Sequence, residues 1–195
     1  MKNIVFDLGG VILVDKTYTV LNNLDIDTNT YNKLKEFFLD CDELDLGKMT
    51  IEEKYNSCNF PSEYDKYKDY LINYYKYRIY NMGLIDMINK LKQNNYNVYI
   101  LSDNNKEVYE YYKNYELFNS IDGWVLSCEY GTIKREGKLF DIFLNKFNLK
   151  ASECYFIDDN MINIKEAEKH GITCYNYNND TDELLKDMRK KNINI

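Results

Sequence analysis

The sequence predicts an α/β fold in which a parallel sheet carries an α-helical insert. Three observations predict it. The first stretch, Ile4-Val5-Phe6, is an apolar run led by β-branched residues, and it runs into Asp7 and the pair Gly9-Gly10. Such a run reads as a strand buried on both faces. From Gly83 onward, short apolar runs alternate with stretches of helical periodicity, the pattern of βαβ units. Between about Asp15 and Asn81 there are several helical stretches and no convincing strand. The expected division is a discontinuous core, residues 1–14 and 84–195, with residues 15–83 as a helical insert in the first crossover.

The elements follow in order. Val11 to Val14 reads as a turn-and-hairpin after the first strand. Tyr31, Leu34, Phe37 and Phe38 recur at helical spacing. Thr50-Ile51-Glu52-Glu53 is a capping box that opens a short helix. Pro61-Ser62-Glu63 opens a longer helix expected to run to about Tyr80, with Tyr67, Tyr70, Leu71, Tyr74 and Tyr77 along one side. That stripe reads as a core-facing surface with polar tips, and alternatively as a stacking platform for a substrate. Beyond it come a helix marked by Ile85, Ile88 and Leu91, a strand over Val98–Leu101 ending at Ser102, and a helix from Val108 to Phe118. A strand at Trp124–Leu126, a helix marked by Leu139, Phe143 and Phe147, and a strand at Cys154–Ile157 ending at Asp158-Asp159 follow. A helix from Ile162 to Lys169, a strand at Ile172–Tyr175 and a helix from Asp182 to Lys190 close the chain.

Composition narrows the function classes. The net charge of -7 argues against non-specific binding to nucleic acid or to an anionic membrane. An anionic substrate would need a local positive site. No apolar run approaches the length that spans a membrane, and the N-terminus does not read as a signal peptide. The odd number of cysteines, with no two at metal-ligand spacing, predicts reduced thiols in a cytoplasmic protein. The single histidine, His170, precedes Gly171 where a helix should end, a C-terminal rather than a catalytic position.

Three predicted strands end in polar groups: Asp7, Ser102 and the Asp158-Asp159 pair. In a parallel sheet these carboxyl ends share one edge, where open α/β sheets bind ligands. Carboxylates gathered there repel one another unless a cation sits among them. A hard divalent ion with oxygen ligands fits, Mg²⁺ before Ca²⁺ for a phosphate substrate. Ser102 offers a hydroxyl and following amides, and Lys134 could reach the same edge. Those groups together suit the oxygens of a phosphoryl group, with Asp7 as a nucleophile that forms an acyl phosphate. The plainer reading makes Asp7 a strand-closing turn residue and the acidic pair a solvated helix cap.

The motifs resemble those of haloacid dehalogenase superfamily hydrolases. Phe6-Asp7-Leu8-Gly9-Gly10-Val11, Ile100-Leu101-Ser102, Lys134, and Ile157-Asp158-Asp159-Asn160 with Asn163 stand in the family's order. The resemblance implies a Rossmann-like core with a helical cap. It implies Asp7 as nucleophile and metal ligand, a Mg²⁺ held by Asp7, the Gly9 carbonyl, Asp158 and Asp159, and a phosphate held by Ser102, the Asp103 amide and Lys134. Ser102 and the Asp-Asp-x-x-x-Asn form resemble the sugar-phosphate branch, notably α-glucose-1-phosphate phosphatase-like proteins and the phosphatase domain of soluble epoxide hydrolases.

The chain departs from that pattern at Gly9, where phosphatases of the family typically carry a second Asp that protonates the leaving oxygen. General acid–base help contributes about 10²–10⁴ in rate, so the expected bias is toward esters with easily expelled leaving groups. Asp15 is a candidate substitute. Arg135 follows Lys134 in place of the usual Pro, with Lys138 as a fallback lysine, and Asp103 stands where Asn is common and is expected to point away from the phosphate. The leading expectation is a Mg²⁺-dependent phosphatase of a small phosphorylated metabolite. A non-catalytic phosphometabolite-binding protein and a metal-independent dehalogenase are the alternatives.

Overall fold

The computed structural model describes residues 1–14 and 17–195; Asp15, the candidate substitute acid, lies outside them. β1 (Asn3–Phe6) is buried along its length at the centre of a five-stranded parallel sheet. β2 (Asn97–Ser102) and β4 (Cys154–Asp158) flank it, and β3 (Gly123–Leu126) and β5 (Thr173–Asn176) form the edges, in the order β3-β2-β1-β4-β5. Phe6 pairs with Ile100 on one side and Ile157 on the other. Asp7 therefore emerges level with the ends of both neighbours, and its N–H donates to the Ile157 carbonyl at 2.9 Å.

The pleat divides the core. Ile4 and Phe6 face a layer that includes α5 (Met82–Gln93) and α10 (Thr181–Lys190), while Val5, Tyr99, Leu101 and Phe156 face α8 (Lys138–Lys146) and α9 (Met161–Lys169). Successive residues of a strand point to opposite faces, so a strand buried on both must be apolar at every position, as β1 is outside Asn3.

Between β1 and β2 the chain forms α1 (Thr28–Lys35), α2 (Asp42–Asp45), α3 (Ile51–Ser57) and α4 (Lys68–Ile72), followed by α5. The Thr50 capping box that opens α3 is present in both directions. α6 (Lys106–Tyr112) and α7 (Ser127–Tyr130) follow β2 and β3.

Three expectations need correction. Residues 8–13 make the expected turn, with Leu13 N–H donating to Leu8 O at 2.8 Å and Gly10 N–H to Leu13 O at 2.9 Å, but no paired strand follows it among the described residues. Leu13 instead bridges antiparallel to Tyr80, with Val14 N–H donating to Ile79 O and Asn81 N–H to Ile12 O, both at 2.8 Å. The rest of this backbone finds its partners in a segment distant in sequence. The single helix expected from Pro61 to Tyr80 is broken into a 3-10 stretch (Ser62–Tyr67), α4 and a second 3-10 stretch (Tyr74–Tyr77). At Asn73 the side chain donates to Asp69 O at 2.8 Å, so it competes with the helical ladder where α4 ends. α6 stops at Tyr112 rather than Phe118, in a run of Tyr and Asn with poor helix propensity. The tyrosine stripe is split accordingly: Leu71 and Tyr74 are buried, whereas Tyr77 is exposed and stacks on Tyr70 at 4.4 Å.

Polar contacts tie these helices to the sheet's carboxyl edge. Ser127 Oγ donates to the Asp45 carbonyl at 2.6 Å and accepts from the Asn104 N–H at 2.9 Å. Asn105 Nδ2 donates to Tyr74 Oη at 3.1 Å, and Tyr112 Oη donates to the Tyr75 carbonyl. Among the described residues, no helix is long and apolar enough to cross a membrane.

The Ser127 contact holds Asp45, half-buried, in an acidic corner. Its carboxyl is raised to about 7 by burial, then by Asp103 and Asp42, against the pull of Lys134 and Arg135. A carboxyl whose pKa is raised on folding stabilises the fold below its unfolded value and loses that contribution as pH rises through about 7. Asp45→Asn should therefore raise the thermal midpoint above neutral pH. The gain should shrink toward about pH 4, with each kcal/mol read as about 2–4 °C. Thermal unfolding followed across that range checks it.

Candidate active site

The carboxyl ends of β1, β2 and β4 open into a cavity of about 410 Å³ whose walls include Asp7, Gly9, Asp103, Lys134 and Asp159. A second hollow, of about 580 Å³, lies among Leu44, Met49, Tyr75 and Tyr111 and contains none of the expected site residues. The expected site residues gather at the smaller one.

Lys134 is the hub. It is 1% exposed, and its ammonium lies 2.9 Å from Asp7 Oδ2 and 2.6 Å from Asp158 Oδ2. The loop before α8 brings it there, and the side chain of Asp103 fixes that loop by accepting from the Lys134 N–H at 2.9 Å. One Asp103 oxygen is thus committed to backbone. Lys138, the fallback, is exposed on α8, and Arg135 turns outward to pair with Asp42.

Asp7 is 7% exposed, and its Oδ1 accepts from the Leu8 N–H at 2.7 Å. Ser102, 1% exposed at the end of β2, adds a hydroxyl that hydrogen-bonds the Asp7 carboxylate; it stands behind Asp7 and is not part of the cavity wall. Burial pushes the Asp7 carboxyl up to about 7; Lys134 pulls it down and Asp158 adds to the rise. Burial alone would lower the Lys134 ammonium, but Asp158, Asp7 and Asp103 outweigh it and hold it above the usual lysine range.

Asp158 is fully buried. Beyond its pair with Lys134, it accepts from the Asn160 N–H at 2.7 Å and from Asn163 Nδ2 at 3.1 Å. Asn163, one helical turn into α9, is how the last motif holds that carboxylate still. Asp159 is exposed and packs against Gly10, whose φ of +75° and missing side chain make the room; a Cβ there would collide with the Asp159 carboxylate.

Asp7, Asp158 and Asp159 each offer an oxygen within 4.8 Å of one another. Asp7, Asp103 and Asp158 also crowd one ammonium, so the buried charge is in negative excess. An all-oxygen donor set with unbalanced negative charge, and a glycine cradle that seats the third carboxylate, fits a hard divalent cation such as Mg²⁺.

Two charged cavity residues carried no functional reading in the sequence, and both come from the segment between β1 and β2. Arg78 is 8% exposed, and its guanidinium lies over Gly9. Asp45 reaches the cavity from the end of α2. A compositional signal did mark Arg78: this lysine-rich chain has three arginines.

Comparison with known proteins agrees with this geometry. The haloacid dehalogenase-like hydrolase family profile matches residues 1–171. The chain is 27% identical over 201 residues to a D-ribitol-5-phosphate phosphatase of Bacteroides thetaiotaomicron, covering 93% of this chain and 94% of that protein. It resembles the crystal structure of an HAD family enzyme of the same organism in complex with magnesium and inorganic phosphate. That match has 25% identity and a TM-score of 0.71 over 95% of this chain and 99% of that one. It shares its fold with a dehalogenase solved with an intermediate, at 18% identity and a TM-score of 0.77 over 95% and 96% of the two chains. The matched length, the order of the motifs and their convergence at one sheet edge agree, and the chain belongs to the haloacid dehalogenase-like hydrolases.

Proposed function

We propose that the protein is a Mg²⁺-dependent phosphatase of a small phosphorylated metabolite, working through an aspartyl phosphate on Asp7. One observation carries the reading: the oxygens of Asp7, Asp158 and Asp159 gather beside the buried Lys134, at the cavity that Asp7, Lys134 and Asp159 line. The acidic cluster also weighs against the metal-independent dehalogenase reading, since uncompensated carboxylates repel an anionic substrate.

The site's own residues divide the work. Asp7 attacks phosphorus, forming an oxygen–phosphorus bond while the ester oxygen departs with its electron pair. Lys134 holds Asp7 in position and offers positive charge to the phosphoryl oxygens. Ser102 supports the Asp7 carboxylate from behind, and the amides that follow it at the cavity wall add hydrogen bonds to the phosphoryl oxygens. Water then adds to phosphorus, and Asp7 leaves as a free carboxylate with dihydrogen phosphate as the other product. Asp7, Asp158, Asp159 and the Gly9 carbonyl are the candidate ligands for Mg²⁺, which when bound neutralises charge on the carboxylates and the phosphoryl group. Residues 15–83 act as a cap that covers the cavity and selects the leaving group. The likeness to a D-ribitol-5-phosphate phosphatase makes polyol and sugar phosphates the first substrates to assay.

Hydrolysis of an aryl phosphate should require Mg²⁺, cease with chelator, and fall on the order of 10⁴–10⁶-fold in Asp7→Asn. No turnover by the wild-type chain across a broad ester panel, with phosphate still bound, would instead favour the non-catalytic binding protein. Gly10→Ala should displace Asp159 and raise the Mg²⁺ concentration for half-maximal activity by about 10–100-fold, the usual cost of disturbing a ligand's support. A Mg²⁺ titration of activity measures it.

A further inference from the structure

Position 9 has no side chain, and the space above it is filled from elsewhere. A Cβ built on Gly9 would lie 3.3 Å from Arg78 Nη2 and 3.8 Å from Nη1. Arg78 is held there by its backbone. The residue before it ends a 3-10 stretch, and the next three residues carry the bridge of Leu13 with Tyr80 and the flanking bonds to Val14 and Ile12. Those partners belong to the same loop that carries Asp7 and Gly9. The guanidinium is therefore registered against the nucleophile loop, although it comes from the far end of the helical segment. It lines the cavity, and its charge is felt by the buried hydroxyls of Tyr74 and Tyr112, whose ionisation it favours against burial.

Asp7 attacks from the sheet edge, with Lys134 beside it. In-line displacement puts the departing oxygen on the opposite side of phosphorus, toward the helical segment. We propose that Arg78 stabilises the leaving group: its guanidinium, seated over Gly9, donates hydrogen bonds to the ester oxygen as the oxygen–phosphorus bond breaks. The inference rests on the phosphatase reading and deepens it. The bond from Asp7 to phosphorus forms and the bond to the ester oxygen breaks. The electron pair stays on that oxygen, which leaves as an anion paired with Arg78 and takes its proton from water at the cavity mouth. A guanidinium stays charged at any working pH and presents a fork of donors, so it supplies charge where a carboxylic acid would supply a proton. Donors aimed at developing oxyanions contribute about 10²–10³ in rate.

The test is a leaving-group series of aryl phosphates graded from nitrophenyl to methoxyphenyl, with glycerol phosphate as the poorest. Each is assayed with Mg²⁺ in wild type, Arg78→Ala and the bulk-retaining Arg78→Gln. Loss of kcat/KM should grow along the series, from nearly none for the best leaving group to about 10²–10³-fold for the poorest. Low concentrations of guanidinium ion should restore part of the activity of Arg78→Ala toward the poor leaving groups. An equal loss across the series in both variants, with no rescue, overturns the proposal and leaves the phosphatase reading standing. So does a graded loss in Asp45→Asn that is absent from Arg78→Gln. A wild-type chain inactive on every ester overturns both.

Discussion

The buried ammonium of Lys134 between Asp7 and Asp158 is the constraint on which the rest of the structure depends. Removing one member of a buried ion pair typically costs about 3–5 kcal/mol, because the other is left charged in a poor solvent. Here one ammonium satisfies carboxylates from two strands, so β1, β4 and the loop before α8 must all arrive together. That requirement explains the supporting bonds. Asp103 clamps the Lys134 amide, Asn163 and the Asn160 N–H clamp Asp158, and the Leu8 N–H clamps Asp7. Each removes a freedom that would let the charges separate. The same arrangement leaves negative charge in excess, which makes the site receptive to a cation and gives a phosphate little reason to enter without one.

Glycines organise the other half of the site by vacating space. Gly10 clears the volume that the Asp159 carboxylate fills, and Gly9 clears the volume beneath the Arg78 guanidinium. The first loop thus contributes one carboxylate of its own and two vacancies, each occupied by a charged group from a distant part of the chain. Three charged side chains converge there with backbone turns that an L residue at position 10 would strain.

Much of this was legible in the sequence because its signals are local. A two-sided buried strand must be apolar throughout, so β1 and β4 announce themselves, and the acids that end them mark the sheet edge. The Thr50 capping box lies within one turn of helix and was found intact. What failed was non-local. Leu13 looked like half of a hairpin because its partner, Tyr80, lies on the far side of the helical segment. The helix from Pro61 looked continuous because periodicity does not register the Asn73 side chain bonding back to Asp69. Arg78 and Asp45 went unread for the same reason: nothing next to them in sequence belongs to the site they enter.

The identity of the residue at 78 is itself informative. A chain that favours lysine this strongly keeps arginine at three positions, and one of them is buried over the loop that follows Asp7. A lysine ammonium is compact, strongly hydrated, and loses its proton readily when buried. A guanidinium does none of this, tolerates a flat seat over a glycine backbone, and can serve a neighbouring aromatic layer and a ligand oxygen from the same plane. Lys134 shows the complementary case: an ammonium survives burial only because carboxylates enclose it. The two cations therefore suit their two ends of the cavity, a point charge where acids crowd and a delocalised fork beside buried tyrosines and a bare glycine.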